Sequence, residues 1–179
     1  MAQELVWLDL EMTGLDPKRH RIIEIATIIT DSDLNVIAEG PDLVIHAHDK
    51  ILERMNDYVH EMHYRSGLLD DVRKSKITIE DAENQTLDFI NEHLGTKYRP
   101  PLCGNSIGTD RRFLDAQMNT LERRLHYRVV DVSSIKELAM RWNPEIDAKI
   151  PPKMETHRAL DDIIESIEEL KFYRENLFK

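Results

Sequence analysis

Asp9 and Glu11 stand two residues apart in the otherwise apolar run Leu5-Val6-Trp7-Leu8-Asp9-Leu10-Glu11. A run of this composition reads as a strand covered on both faces. In a strand, side chains at i and i+2 share a face, so the two carboxylates point the same way. Like charges this close repel, and burial makes each costlier. A divalent cation, Mg²⁺ or Mn²⁺, is the strongest candidate to compensate them, because hard cations suit oxygen ligands. The alternative is a strand end emerging into solvent with both acids hydrated.

Two later segments carry similar chemistry. Asp110 follows Asn105-Ser106-Ile107-Gly108-Thr109, at a Gly-containing turn into a helical pattern. Alone, it reads as a cap or as an acid favoured by the helix dipole. His157-Arg158-Ala159-Leu160-Asp161-Asp162 opens the last helical pattern. Alone, His157 reads as a surface or capping histidine, and the two acids as ordinary first-turn acids. Cys103 is the only cysteine, so no intramolecular disulfide can form. Its setting, Pro101-Leu102-Cys103-Gly104, reads as strand packing and not as a nucleophile. A lone thiol points to a reducing, cytoplasmic compartment.

The surrounding elements have to bring these residues together. Residues 21–30 form a second β-rich run and residues 35–46 a third, broken near Gly40-Pro41; the turn chemistry of Asp31-Ser32-Asp33 predicts a hairpin between them. Residues 50–75 read as two or three short helices. Thr78 and Asp81 have capping-box spacing ahead of a stripe of Ile79, Ala82, Leu87, Ile90 and Leu94. Residues 101–103 read as a short strand, 110–124 as one helix, 129–132 as the last strand and 134–142 as a helix. Residues 143–155, with three prolines, read as a loop, and a final helix is expected from Thr156. This order predicts an α/β fold with a mixed sheet, antiparallel at its start and then parallel, in one domain spanning 1–179.

Composition agrees. With 179 residues, 41% hydrophobic and 32% charged, the chain has material for a substantial core and is not of disordered type. No segment approaches a membrane span, and the first strand begins too early to leave room for a signal peptide. The net charge of −10 argues against gripping long nucleic acid by phosphate neutralisation. An acidic protein can still act on phosphates where metal ions screen the contact.

Together, Asp9-Leu10-Glu11-Met12-Thr13-Gly14-Leu15, residues 105–114 and His157-x-Ala159-x-x-Asp162 resemble the three motifs of the DEDDh group of 3′→5′ exonucleases, and within it the oligoribonuclease family. The resemblance spans nearly the whole chain. It implies an RNase H-like mixed five-stranded sheet flanked by helices. It also implies that Asp9, Glu11, Asp110 and Asp162 hold two divalent ions, Mg²⁺ or Mn²⁺, with Asp162 and not Asp161 as the ligand. Two such ions clamp the attacking and leaving oxygens of an in-line displacement. His157 would be the general base, a role suited to imidazole.

The implied substrate is very short single-stranded RNA, down to dinucleotides, cut from the 3′ end to 5′-mononucleotides. Leu15 would wedge against the bases, with His63 and Tyr127 near the substrate and Ser106 and Arg128 on its terminal 5′-phosphate. Tyr127 and Arg128 would come from the partner subunit of a homodimer. The bland alternatives are a core Leu15 and Tyr127, a His63 on a helix surface and a solvated Arg128. One departure is visible: Thr109 stands where the family pattern leads one to expect Gln. Two rival functions remain. A proofreading-type exonuclease domain would share the motifs but favour DNA, and a non-enzymatic nucleotide sensor would have lost the catalytic acids.

Overall fold

The computed structural model describes residues 4–152 and 156–178. Its centre is a five-stranded sheet in the order β3-β2-β1-β4-β5. The strands are β1 (Leu5–Met12), β2 (Ile22–Thr30), β3 (Val36–Val44), β4 (Leu102–Gly104) and β5 (Val129–Asp131). The first three are antiparallel, while β4 pairs parallel to β1, and β5 parallel to β4. Gly40-Pro41 lies within β3, where the register against β2 shifts; proline is tolerated because β3 is an edge strand.

Three short helices follow: α1 (Asp49–Leu52), α2 (Asp57–Arg65) and α3 (Leu68–Lys74). They pack Leu52, Leu68, Leu69 and Val72 against Ile23 of β2. Next comes α4 (Ile79–Leu94), which opens on the capping box of Thr78 and Asp81. Residues 110–124 are not one helix. They divide into α5 (Gly108–Gln117) and α6 (Asn119–Arg124) at Met118, whose φ of −136° and ψ of 56° leave the helical region. The break keeps Phe113, Leu114, Met118 and Leu121 all in the core.

The last strand ends at Asp131, whose carboxylate accepts from Ser133 N at 3.0 Å and so starts α7 (Val132–Trp142) two residues earlier than its sequence predicts. Within the expected loop, Pro144 begins a short helix, α8 (Pro144–Asp147); proline fits the first helical position because no intrahelical N–H is needed there. Residues 153–155 of that loop lie outside the described residues. The final helix, α9 (Ala159–Leu177), begins three residues later than predicted.

Alternation along β1 sorts its side chains between two cores. Val6, Leu8 and Leu10 face α4–α6, and Trp7 faces α7 and α9 together with Ala26, Ile28 and Cys103. Burial of each large aliphatic side chain stabilises the fold by about 1.5–3 kcal/mol. That packing holds β1 in register even though its second face turns acidic at the strand end. Cys103 is fully buried, and desolvation pushes its thiol up, so it packs as a small apolar group. Among the described residues no helix is long and apolar enough to cross a membrane.

Candidate active site

Asp9 and Glu11 continue the face that Trp7 opens, at the carboxyl end of β1. Open α/β sheets bind their ligands at such strand ends. There α9 crosses the sheet and delivers Asp162. Carboxylate oxygens of Asp9, Glu11 and Asp162 all lie within 4.8 Å of one another. Asp110, in the first turn of α5, is also buried, and the backbone N–H of Leu10 and its own N–H hold its carboxylate. It is outside the tight group of three. Even so, it raises Asp9 more than any other charge does. Asp161 is not among the grouped acids.

The electrostatics of this cluster follow from burial and repulsion. Desolvation, and then the charges of Asp110, Glu11 and Asp162, hold the Asp9 carboxyl well above the usual carboxylate range. Glu11 is pushed up to about 9 by desolvation and then by Asp162 and Glu24, while Arg158 opposes the rise. Asp110 is raised to about 7, again chiefly by desolvation. Asp9, Glu11 and Asp110, all raised, with Asp162 beside them, are a donor set with a deficit of positive charge. Hard, anionic and partly buried, they fit divalent cations.

This arrangement sets a pH dependence for the metal-free protein. The folded chain keeps a proton on Glu11 that the unfolded chain releases near 4.5, so this contribution to stability is complete below that pH and lost by about 9. Thermal unfolding in EDTA should therefore show a midpoint falling from pH 5 to pH 9. Added Mg²⁺ should flatten or reverse the trend, since a cation bound only to the folded state stabilises it. A midpoint flat across that window in EDTA would contradict this charge balance.

His157 lies just before α9, in the segment 156–158. Its backbone is left-handed, with φ of 52°, a region costing a non-glycine residue about 1–2 kcal/mol. Ser106 shares this feature, with φ of 54°. His157, Thr156 and Arg158 form one wall of an open cleft of about 900 Å³, faced by Tyr58, Met62 and Arg65 of α2. None of the four acids lines this cleft, and they connect to its two walls through neighbouring residues. His63 of α2 reaches Glu11, and Arg158 precedes the helix that carries Asp162.

The other predicted residues have distinct settings. Leu15 is 69% exposed, on a turn in which Asp16 N donates to His20 Nδ1 at 3.0 Å. Gly14 lies against the His20 ring, where a Cβ would sit 2.7 Å from ring atoms, so this close approach requires glycine. His63 is neither on a helix surface nor open to the cleft: it is fully buried. Its Nε2 donates to Met12 O at 2.9 Å, and its Nδ1 is 3.9 Å from Glu11. Desolvation lowers its pKa, so the neutral ring backs Glu11 from behind.

Ser106 is exposed, and its hydroxyl is 2.9 Å from that of Ser133. Tyr127 is 72% exposed, and the Arg128 guanidinium lies over its ring at 5.5 Å. Neither residue lines the cleft of its own chain. The Thr109 hydroxyl accepts a 3.5 Å contact from Arg112.

Three residues that sequence reasoning missed also belong to this region. Tyr58 lines the cleft from α2, and Ser133 pairs with Ser106. Glu24 of β2 stands opposite Glu11 in the strand register. α2 carries two exposed tyrosines, Tyr58 and Tyr64, and only the position of the cleft distinguishes Tyr58. Ser133 and Glu24 are likewise recognisable only in space.

The RNase_T exonuclease family model matches residues 6–170. The chain is 54% identical over 178 residues to the oligoribonuclease of Mycobacterium bovis, covering 99% of this chain and 83% of that relative. It is 54% identical over 177 residues to the oligoribonuclease of Vibrio parahaemolyticus, covering 99% and 97%. Among solved structures, the nuclease domain of 3′hExo, a DEDDh family member bound to rAMP, aligns with a TM-score of 0.65 at 16% identity, covering 98% of this chain and 94% of that one. The zinc-bound E. coli exonuclease I–ssDNA complex aligns with a TM-score of 0.75 at 15% identity, covering 99% of this chain and 41% of that one. At these identities the two structures speak for the fold, while the sequence matches speak for the family. The chain belongs to the exonuclease family and, within it, to the oligoribonucleases.

Proposed function

We propose that this protein is a metal-dependent 3′→5′ exoribonuclease that hydrolyses very short RNA, dinucleotides above all, to 5′-mononucleotides. The observation that carries the reading is the convergence of Asp9, Glu11 and Asp162 at a sheet end beside the cleft that His157 walls. Asp9, Glu11, Asp110 and Asp162 would hold two divalent ions, Mg²⁺ or Mn²⁺. Bound there, the ions supply the positive charge that lets all four acids ionise and that offsets charge developing on the phosphate. His157 takes the proton of the attacking water as general base. His63 keeps Glu11 oriented without itself touching substrate.

Leu15 and Tyr58, both exposed, offer apolar and aromatic surface to unpaired bases. Ser106, with Ser133 beside it, and Arg128 hold the terminal 5′-phosphate, for which a guanidinium fork is well suited. Because Tyr127 and Arg128 stand away from their own cleft, they act on the site of a second copy in a homodimer. The exposed edge at Tyr127 and Val129 supports that assembly. We assign the chain to a single exonuclease domain, supported by one sheet with cores on both faces. Its setting is cytoplasmic, where the single buried thiol is at ease.

The test is a binding and turnover series on 5′-phosphorylated RNAs of two to about ten nucleotides at one salt concentration. Dinucleotides should bind and turn over best, because each further phosphate meets a strongly acidic surface. Removing the 5′-phosphate and replacing Arg128 by Ala should weaken dinucleotide binding by similar amounts, and the two losses should not add. Affinity rising steadily with length, or equal turnover of DNA dinucleotides, would overturn this substrate assignment.

A further inference from the structure

Glu24 carries a carboxylate into the sheet at 0% exposure, beside Glu11 in the β1–β2 register. An acid buried next to an acidic cluster is costly unless something engages it. Both of its oxygens are engaged, and by the two residues that follow His157. Oε1 accepts from Arg158 Nε at 2.9 Å and from Arg158 Nη2 at 2.7 Å. Oε2 accepts from the backbone N–H of Ala159 at 3.0 Å. Arg158 Nη1 reaches on to Asp71 of α3 at 3.2 Å. One guanidinium is thus held by carboxylates from β2 and from α3, and a charge-assisted pair of this kind fixes orientation as well as position.

The first amide of α9 would otherwise lack a side-chain cap, since Arg158 at the N-cap supplies none. His157 is the next residue back and holds a left-handed backbone, a conformation that persists only where its surroundings over-determine it. Glu24 is what fixes the chain on the helix side of that residue.

We propose that Glu24, acting through Arg158 and the Ala159 amide, is a positioning residue that sets the place of His157 for the exonuclease reaction. The proposal rests on the reading of His157 as general base. Glu24 itself touches neither substrate nor the attacking water. A buried ion pair brings little net stability over apolar packing, so defined geometry is what this one supplies.

The test uses the full chain at saturating Mg²⁺ with the 5′-phosphorylated dinucleotide pApA. Glu24→Gln and Arg158→Lys are measured alone and combined with His157→Ala. Each single change should lower kcat by about 10–100-fold, the scale of a displaced catalytic group. KM should stay within about twofold, and neither change should lower kcat further once His157 is absent. Losses that multiply with His157→Ala, a changed KM at unchanged kcat, or a shift only in the Mg²⁺ requirement would overturn the proposal. Arg158→Lys keeps the charge and replaces a part-exposed side chain, so it decides the question if Glu24→Gln fails to fold. Wild-type turnover by His157→Ala would instead remove the base reading, and this proposal with it.

Discussion

Replacing Asp9 by Asn is expected to abolish turnover while leaving the metal-free protein at least as stable as the wild type. The two effects have one cause. Asp9 is half-buried beside four other acids, Asp110, Glu11, Asp162 and Glu24, that all resist its ionisation, so in the absence of cations the neutral amide removes repulsion. The same charge is what a cation needs. Its loss forfeits several kcal/mol of charge stabilisation, equivalent to a fall of about 10³-fold or more in kcat. Unfolding curves in EDTA at pH 8 should place the D9N midpoint at or above that of the wild type. The gain in midpoint on adding Mg²⁺ should shrink. A folded D9N protein that turns over dinucleotides at near-wild-type rate would exclude metal ligation by this acid pair.

His157→Ala has the second largest expected effect, and it should fall almost wholly on kcat. A general base contributes typically about 10²–10⁴-fold in rate. The side chain removed is one part of a wide cleft that Tyr58, Met62 and Arg65 line from the opposite wall, so ground-state binding keeps most of its surface. Steady-state kinetics on a 5′-phosphorylated dinucleotide, with direct binding to the inactive protein, separates the two. Weakened binding with turnover retained at saturation would make His157 a substrate contact. Stability should change little, because alanine is no easier than histidine in a left-handed backbone and the ring removed borders an open cleft.

Much of this site was legible because its first half is a matter of phase. Alternation alone put Asp9 and Glu11 on one face, and the capping box of Thr78 and Asp81 located the start of α4. Local rules failed where a distant residue takes over a local duty. The start of α9 was misplaced because its first amide is capped by Glu24, 135 residues away, and no nearby Ser or Asp marks it. The division at Met118 was hidden for a similar reason. The periodicity of Leu114, Met118 and Leu121 runs straight through, whereas the Gln117 carboxamide reaches back to Pro17 O, His20 O and Ile22 N. His63 was expected near the substrate, with a helix surface as the alternative, and its burial against the sheet end was not legible in the sequence.

The order of these elements along the chain has a consequence for biosynthesis. Asp9 and Glu11 leave the ribosome well before His157 and Asp162 are made. Until α9 docks Ile163, Ile167 and Tyr173 against Trp7, Ala26 and Ile28, the nascent chain has neither the histidine proposed as its base in place nor its full set of grouped acids. A polypeptide surrounded by RNA throughout its own synthesis therefore stays inert towards RNA until α9 has been made and has docked on the sheet.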